Sequence, residues 1–97
     1  MERYRLTRLN DDKVVESKNV AFVKRERDGS YSVLRTPEQG ATCSMYNSME
    51  RLLRTSLITD FDIVDDVTTL FTTLNSKYKL EKYDSRNKGD IQQDRQD

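Results

Sequence analysis

Residues 20–36 read VAFVKRERDGSYSVLRT, and this run decides the predicted fold. The dipeptide Asp28-Gly29 separates two β-forming segments, a pattern typical of a hairpin with a two-residue type I′ turn. In the register that this turn imposes, Phe22, Tyr31 and Val33 share one face, and the other face is also apolar near the open end. Such a hairpin needs cover on both sides, as in a small barrel or a sheet packed against a helix.

Extended structure is also predicted near both ends of the sequence. Residues 3–9 alternate polar and apolar side chains, which places Tyr4 and Leu6 on the buried face of a strand. Residues 77–83 alternate in the same way, with Tyr78 and Leu80 directed inward. These two segments add strands to the central hairpin.

A second hairpin is predicted over residues 57–74, with Asp65-Asp66 as a two-residue turn. This register opposes Phe61 with Leu70 on a large apolar face and places Phe71 on the opposite face. A slip of one residue would exchange the two faces, so the pattern specifies the pairing closely.

The apolar period changes from two to 3.6 between the hairpins. Met45, Met49, Leu52 and Leu53 fall at i, i+4, i+7 and i+8, and Ser44 precedes them as a helix cap. We therefore expect one amphipathic helix of about three turns. Its competitor is a strand that begins near residue 51.

The predicted fold class is α+β and mainly β: a small antiparallel sheet, or an SH3-like or split barrel, of five to six strands with one inserted helix. Residues 1–83 are expected to form a single globular domain. Residues 84–97 (DSRNKGDIQQDRQD) are expected to be a disordered charged tail, because they contain a single apolar residue and no periodicity.

The residue types limit the chemistry available. The 97 residues contain no histidine and one cysteine, which excludes Ser-His-Asp and Cys-His catalysis, ordinary zinc sites and an internal disulfide. We expect a protein that is not an enzyme and that uses no cofactor and no metal ion. The charged amino-terminal segment and the lack of a long apolar run predict a cytoplasmic protein that does not enter membranes.

The chain carries 17 basic and 17 acidic residues, and these are unevenly distributed. Residues 1–57 hold 11 basic and 8 acidic groups, whereas residues 58–76 hold four aspartates and no basic group. The neutral total therefore combines a basic amino-terminal half with an acidic hairpin.

This charge distribution favours a small binding protein, an adaptor or inhibitor, that occupies a basic surface of a protein partner. The candidate contact residues are the four aspartates of the hairpin and a second set on the predicted helix, where Tyr and Arg are typical of binding hot spots. They are Asp60, Asp62, Asp65 and Asp66, with Tyr46, Arg51 and Arg54.

Two other functions are compatible with the sequence. A module that binds single-stranded nucleic acid would use cations interleaved with aromatic residues, namely Arg3, Arg5, Lys24, Arg25 and Arg27. A homo-oligomeric structural protein would follow from an uncovered strand edge. The run 72–80 (TTLNSKYKL) resembles stretches of short phage-encoded proteins in general character only, and this resemblance gives no residue a role.

Overall fold

The computed structural model describes residues 2–84, which form nine β-strands in two antiparallel sheets. Strands β2, β1, β9, β8 and β7 hydrogen-bond in that order into a five-stranded sheet, and β4, β3, β5 and β6 form a four-stranded sheet. The strands are β1 (Glu2–Arg8), β2 (Lys13–Ser17), β3 (Asn19–Arg25), β4 (Tyr31–Leu34), β5 (Ala41–Asn47), β6 (Glu50–Arg54), β7 (Ile58–Ile63), β8 (Thr68–Thr73) and β9 (Lys77–Asp84).

The antiparallel, mainly β prediction is confirmed, and its finer points are corrected. Residues 2–84 contain nine strands rather than five or six, contain no helix, and do not close into a barrel. No segment in this part of the chain is therefore a helix long and apolar enough to cross a bilayer. Asp84 ends β9, and the rest of the tail predicted over 84–97 lies outside the described residues.

The core lies between the two sheets. The ring of Phe71 on β8 meets Phe22 of the other sheet edge-on, with centroids 6.1 Å apart, and stacks on Tyr78 of β9 at 5.2 Å. The inward positions predicted for Leu6, Tyr78 and Leu80 are confirmed, since all three are buried. The buried hydrophobic residues are Leu6, Ala21, Phe22, Ala41, Cys43, Met45, Ile58, Phe71, Tyr78 and Leu80.

The predicted helix is wrong, because its sequence forms the β5–β6 hairpin. Ala41, Cys43 and Met45 alternate along β5 and are each 0% exposed, which is the period of a strand. Ser48 has a positive φ of 26° in the turn, and Met49 beside it is 99% exposed. The spacing of Met45 and Met49 therefore arises from two strands joined by a tight turn.

The β3–β4 turn has three residues rather than two. The N–H of Glu26 donates to the carbonyl of Ser30 at 2.8 Å, and Gly29 has a φ of 90°. The carboxylate of Asp28 accepts hydrogen bonds from the Ser30 backbone N–H at 2.9 Å and its hydroxyl at 2.6 Å. This is a type I turn followed by a left-handed glycine, so the predicted type I′ turn is wrong.

The longer turn shifts the register of this hairpin by one residue. Phe22 lies opposite Leu34, and Val23 lies opposite Val33. Phe22 remains in the core, whereas Tyr31 and Val33 are 67% and 72% exposed on the other face. The prediction that these three residues share a face is therefore wrong.

The β7–β8 hairpin shows the same correction. Asp65 accepts hydrogen bonds from the backbone N–H groups of Val67 and Thr68, at 2.9 and 2.8 Å, and so shapes a longer loop. Phe61 then lies opposite Phe71. Phe71 is buried in the core, whereas the predicted register placed it on the same face as the aspartates. The register shifts between Ile58 and Asp60, near the start of β7. At the open end of the hairpin Ile58 therefore lies opposite Thr73, as the predicted register has it.

Candidate functional site

The four aspartates of the predicted acidic surface do not share one face. Asp60 and Asp62 line a shallow groove on the outer face of the five-stranded sheet. Asp65 and Asp66 lie in the β7–β8 loop, at a cleft between the sheets. The carboxylate of Asp65 is occupied by two backbone N–H groups of its own loop. The structure thus divides this set into two pairs.

The second predicted set does come together, on the outer face of the four-stranded sheet. Tyr46 on β5 lies opposite Arg51 on β6, and Ser44 lies opposite Arg54. In a regular strand, residues 51 and 54 would point to opposite faces. The register shift between Met45 and Tyr46 turns both arginines to the same face. Bulges of this kind often redirect side chains at binding sites.

The β3–β4 hairpin extends this face across the sheet. Arg25 lies opposite Tyr31 at the end of the hairpin, and both are exposed. Arg25, Tyr31, Arg51 and Arg54 line one shallow depression of about 270 Å³. We call the surface formed by Arg25, Tyr31, Tyr46, Arg51 and Arg54 the basic face.

The lining of the depression is partly polar and partly apolar. Thr42 and Ser44 contribute hydroxyl groups, and Val23, Gly40 and Leu57 complete the lining. Because none of the described residues that line the depression is acidic, they do not compensate the positive charge of its arginines.

The arginines of the basic face have no ionic partners among residues 2–84. Two other arginines in this part of the chain are paired: Arg5 contacts Glu16 at 2.8 Å, and Arg8 contacts Asp11 at 2.7 Å. The hydrogen bond that Arg5 donates to Glu16 raises the pKa of Arg5, and the Arg8 guanidinium lowers the pKa of Asp11 to about 2. The basic face therefore presents its cations to solvent and to a possible ligand.

The other predicted cations are dispersed. Arg3 and Arg5 belong to β1 of the other sheet, and the Arg5 guanidinium lies 4.8 Å from the ring centroid of Tyr83. Lys24 pairs with Glu38 at 3.1 Å. Arg27 lies in the β3–β4 turn. Of the set predicted to bind nucleic acid, only Arg25 belongs to the basic face.

Sequence reasoning missed Tyr31, Thr42 and Ser44 as parts of this site. The assumed two-residue turn placed Tyr31 on the core side, and Ser44 was interpreted as a helix cap. The signal that could have placed Tyr31 correctly is Ser30 after Asp28-Gly29, because its N–H and hydroxyl hold the longer turn.

A second cavity, of about 520 Å³, opens between the sheets. Tyr4, Val20, Phe22 and Leu80 form its apolar wall, and charged side chains form its rim. Lys82 at the rim lies 3.6 Å from Glu2. This cleft combines a partly apolar wall with ionic groups of both signs.

Cys43, the one cysteine in the sequence, is buried. Burial raises the pKa of the Cys43 thiol to about 12, so the thiolate nucleophile is scarce at neutral pH. No cluster of three or more acidic or thiol side chains within residues 2–84 is arranged to hold a metal ion.

Comparison with known proteins finds no match, since no family model, no curated protein and no solved structure is significantly similar to this chain. Its function has to be inferred from its own geometry and charge.

Proposed function

We propose that this protein is a non-enzymatic binding protein that holds a short stretch of single-stranded nucleic acid on its basic face. The observation that carries the proposal is the grouping of Arg25, Arg51 and Arg54, none with an ionic partner within residues 2–84, around the exposed ring of Tyr31. Three like charges grouped on one surface favour a ligand that carries several negative charges.

The residue types suit a phosphate backbone with unpaired bases. Guanidinium groups bind phosphate oxygens in a bidentate fashion, and an exposed aromatic ring supports the flat face of a base. Sheet-based modules that bind single strands combine these two features. Tyr31 and Arg25 lie directly across from each other, so a base and a neighbouring phosphate could be engaged together.

The size and shape of the face also favour a single strand. The face crosses four strands, a distance of about 14 Å at about 4.8 Å per strand spacing. This width accommodates a short segment of single strand, a few nucleotides long. A broad sheet face does not enter the major groove of a duplex, which admits a helix or a two-stranded ribbon.

The proposal is tested by fluorescence anisotropy with a labelled oligothymidylate of about twelve nucleotides. Three phosphate contacts predict a slope of log K against log salt of about −2, or about a twentyfold loss of affinity between 50 and 200 mM salt. Replacing Arg25, Arg51 and Arg54 together with glutamine should abolish most of this slope. Tyr31→Ala should weaken binding at every salt concentration and leave the slope unchanged.

The matched control removes the same charge from other parts of the surface, with Arg3→Gln, Lys13→Gln and Lys77→Gln combined. This variant should retain affinity within about threefold, because long-range charge effects are screened over about 10 Å. Equal losses in the two triple variants, or no measurable binding of the oligothymidylate by the unmodified protein, would show that the basic face is not a nucleic-acid site.

A further inference from the structure

Strand β7 has an open side. It is the last strand of the five-stranded sheet, and residues 59–63 are all exposed. The N–H of Val64 donates to the carbonyl of Thr68 on the β8 side at 3.0 Å. Backbone groups alternate in direction along an antiparallel strand, so those of Phe61 and Ile63 point to the open side. No other strand within residues 2–84 hydrogen-bonds to this side of β7.

The side chains of β7 are sorted by face. Phe61 and Ile63 are 38% and 50% exposed on the side that faces the second sheet. Asp60 and Asp62 lie on the opposite, outer side. A strand that added to this edge would place its own side chains alternately beside apolar and acidic neighbours.

We propose that the open edge of β7 binds an extended segment of a protein partner in which basic residues alternate with apolar residues. The backbone of the segment would continue the five-stranded sheet, as in other cases of strand addition. Its cations would lie beside Asp60 and Asp62, and its apolar side chains would cover Phe61 and Ile63. This surface lies on a different sheet from the basic face and is independent of nucleic-acid binding.

Charge selects such a partner over a second copy of the chain. Antiparallel pairing of two β7 strands centred on Phe61 would place Asp60 of each copy opposite Asp62 of the other. Directly opposed like charges destabilise a strand pair, and acidic residues on an edge strand discourage self-association. A segment with alternating basic residues meets attraction at the same positions.

The side chain of Asp60 protects the edge when no partner is bound. Its carboxylate accepts a hydrogen bond from the N–H of Phe61 at 2.9 Å. An added strand would supply a carbonyl group to this N–H and a cation to the released carboxylate. Binding would thus exchange an internal hydrogen bond for an intermolecular one and an ion pair.

The test is a nuclear magnetic resonance titration of the isotopically labelled full chain with a capped heptapeptide of alternating Lys and Val. We expect chemical-shift changes concentrated on the amides of β7, and slower deuterium exchange at Phe61 and Ile63. Asp62→Lys should weaken binding about fivefold to twentyfold, since it replaces attraction with repulsion at an exposed site.

The matched control is Asp66→Lys, which makes the same charge change in the adjoining loop and should alter affinity by less than about twofold. A retained thermal midpoint in both variants shows that the fold is intact. Exchanging both Asp60 and Asp62 for lysine should transfer binding to a Glu-Val peptide.

The proposal is overturned by any of three results: shifts absent from β7 at saturating peptide, equal losses in the two lysine variants, or concentration-dependent shifts of β7 without peptide. The last result would identify a second copy of the chain as the occupant of this edge.

Discussion

Replacing Phe71 with leucine tests the observed pairing of β7 with β8. Phe71 is 2% exposed, and its ring contacts Phe22 edge-on at 6.1 Å and stacks on Tyr78 at 5.2 Å. Each aromatic pair contributes about 0.5–1.5 kcal/mol beyond simple burial, so losing both should cost about 1–3 kcal/mol. A domain of about 80 residues has a total free energy of unfolding of about 4–12 kcal/mol. The loss is therefore a substantial fraction of the total.

Urea denaturation followed by circular dichroism measures this loss as a lower midpoint with an unchanged slope. A central cost of about 2 kcal/mol corresponds to a fall in Tm of about 8–16 °C. The double variant Phe22→Leu/Phe71→Leu should show a coupling free energy of about 0.5–1.5 kcal/mol.

The control for Phe71 is its neighbour Leu70, which is half-buried on the outer face opposite Asp62. Leu70→Ala should cost about 1 kcal/mol, well below a core truncation of 2–5 kcal/mol. In the register of a two-residue turn, Leu70 would be in the core and Phe71 would lie with the aspartates. A larger cost at Leu70 than at Phe71 would therefore refute the observed register.

Three further predictions concern single residues. Gly29→Ala should lower the free energy of unfolding by about 1 kcal/mol in a thermal melt, because a φ of 90° is strained for a residue with a Cβ. Nothing lies within 4 Å of the added Cβ, so this cost comes from the backbone and not from a clash. An unchanged Tm would contradict this explanation. Thr55→Val should cost about 1–3 kcal/mol in urea, because the hydroxyl accepts the Cys43 N–H at 3.0 Å, whereas Thr55→Ser should retain most of the stability. Asp11 has its pKa lowered from 3.8 to about 2 by Arg8, so the stabilisation is present above pH 3.8 and is lost as the pH falls towards 2. Asp11→Asn should remove this part of the acid dependence, and parallel stability curves for the two proteins over that range would contradict the assignment.

Strands were predicted correctly where the alternation of polar and apolar residues fits a strand and no other element. Tyr4 and Leu6 in β1 are such a case, with Leu6 in the core as expected. The segment over 41–54 was ambiguous, because Ala41 and Cys43 are too small to give a strong hydrophobic signal. Met45 and Met49 then suggested a helical period, although only Met45 enters the core.

Both hairpin registers were mispredicted for one physical reason. In each loop an aspartate side chain accepts backbone N–H groups further along the loop: Asp28 from Ser30, and Asp65 from Val67 and Thr68. These bonds stabilise a turn with one more residue than the dipeptide pattern implies. Because side chains alternate at every residue, one extra loop residue reverses the faces of the paired segment.

The basic face likewise depends on local irregularities of the backbone, a bulge and a three-residue turn. Arg51, Arg54 and Tyr46 could be identified from their residue types, but their common orientation requires a bulge that no local pattern indicates. Tyr31 reaches the same face only because the turn at Asp28 has three residues. With a two-residue turn, Tyr31 would point into the core and Arg25 would lose its aromatic neighbour. The chemistry of one turn thus determines whether the basic face has an exposed aromatic ring beside Arg25, in addition to Tyr46 beside Arg51.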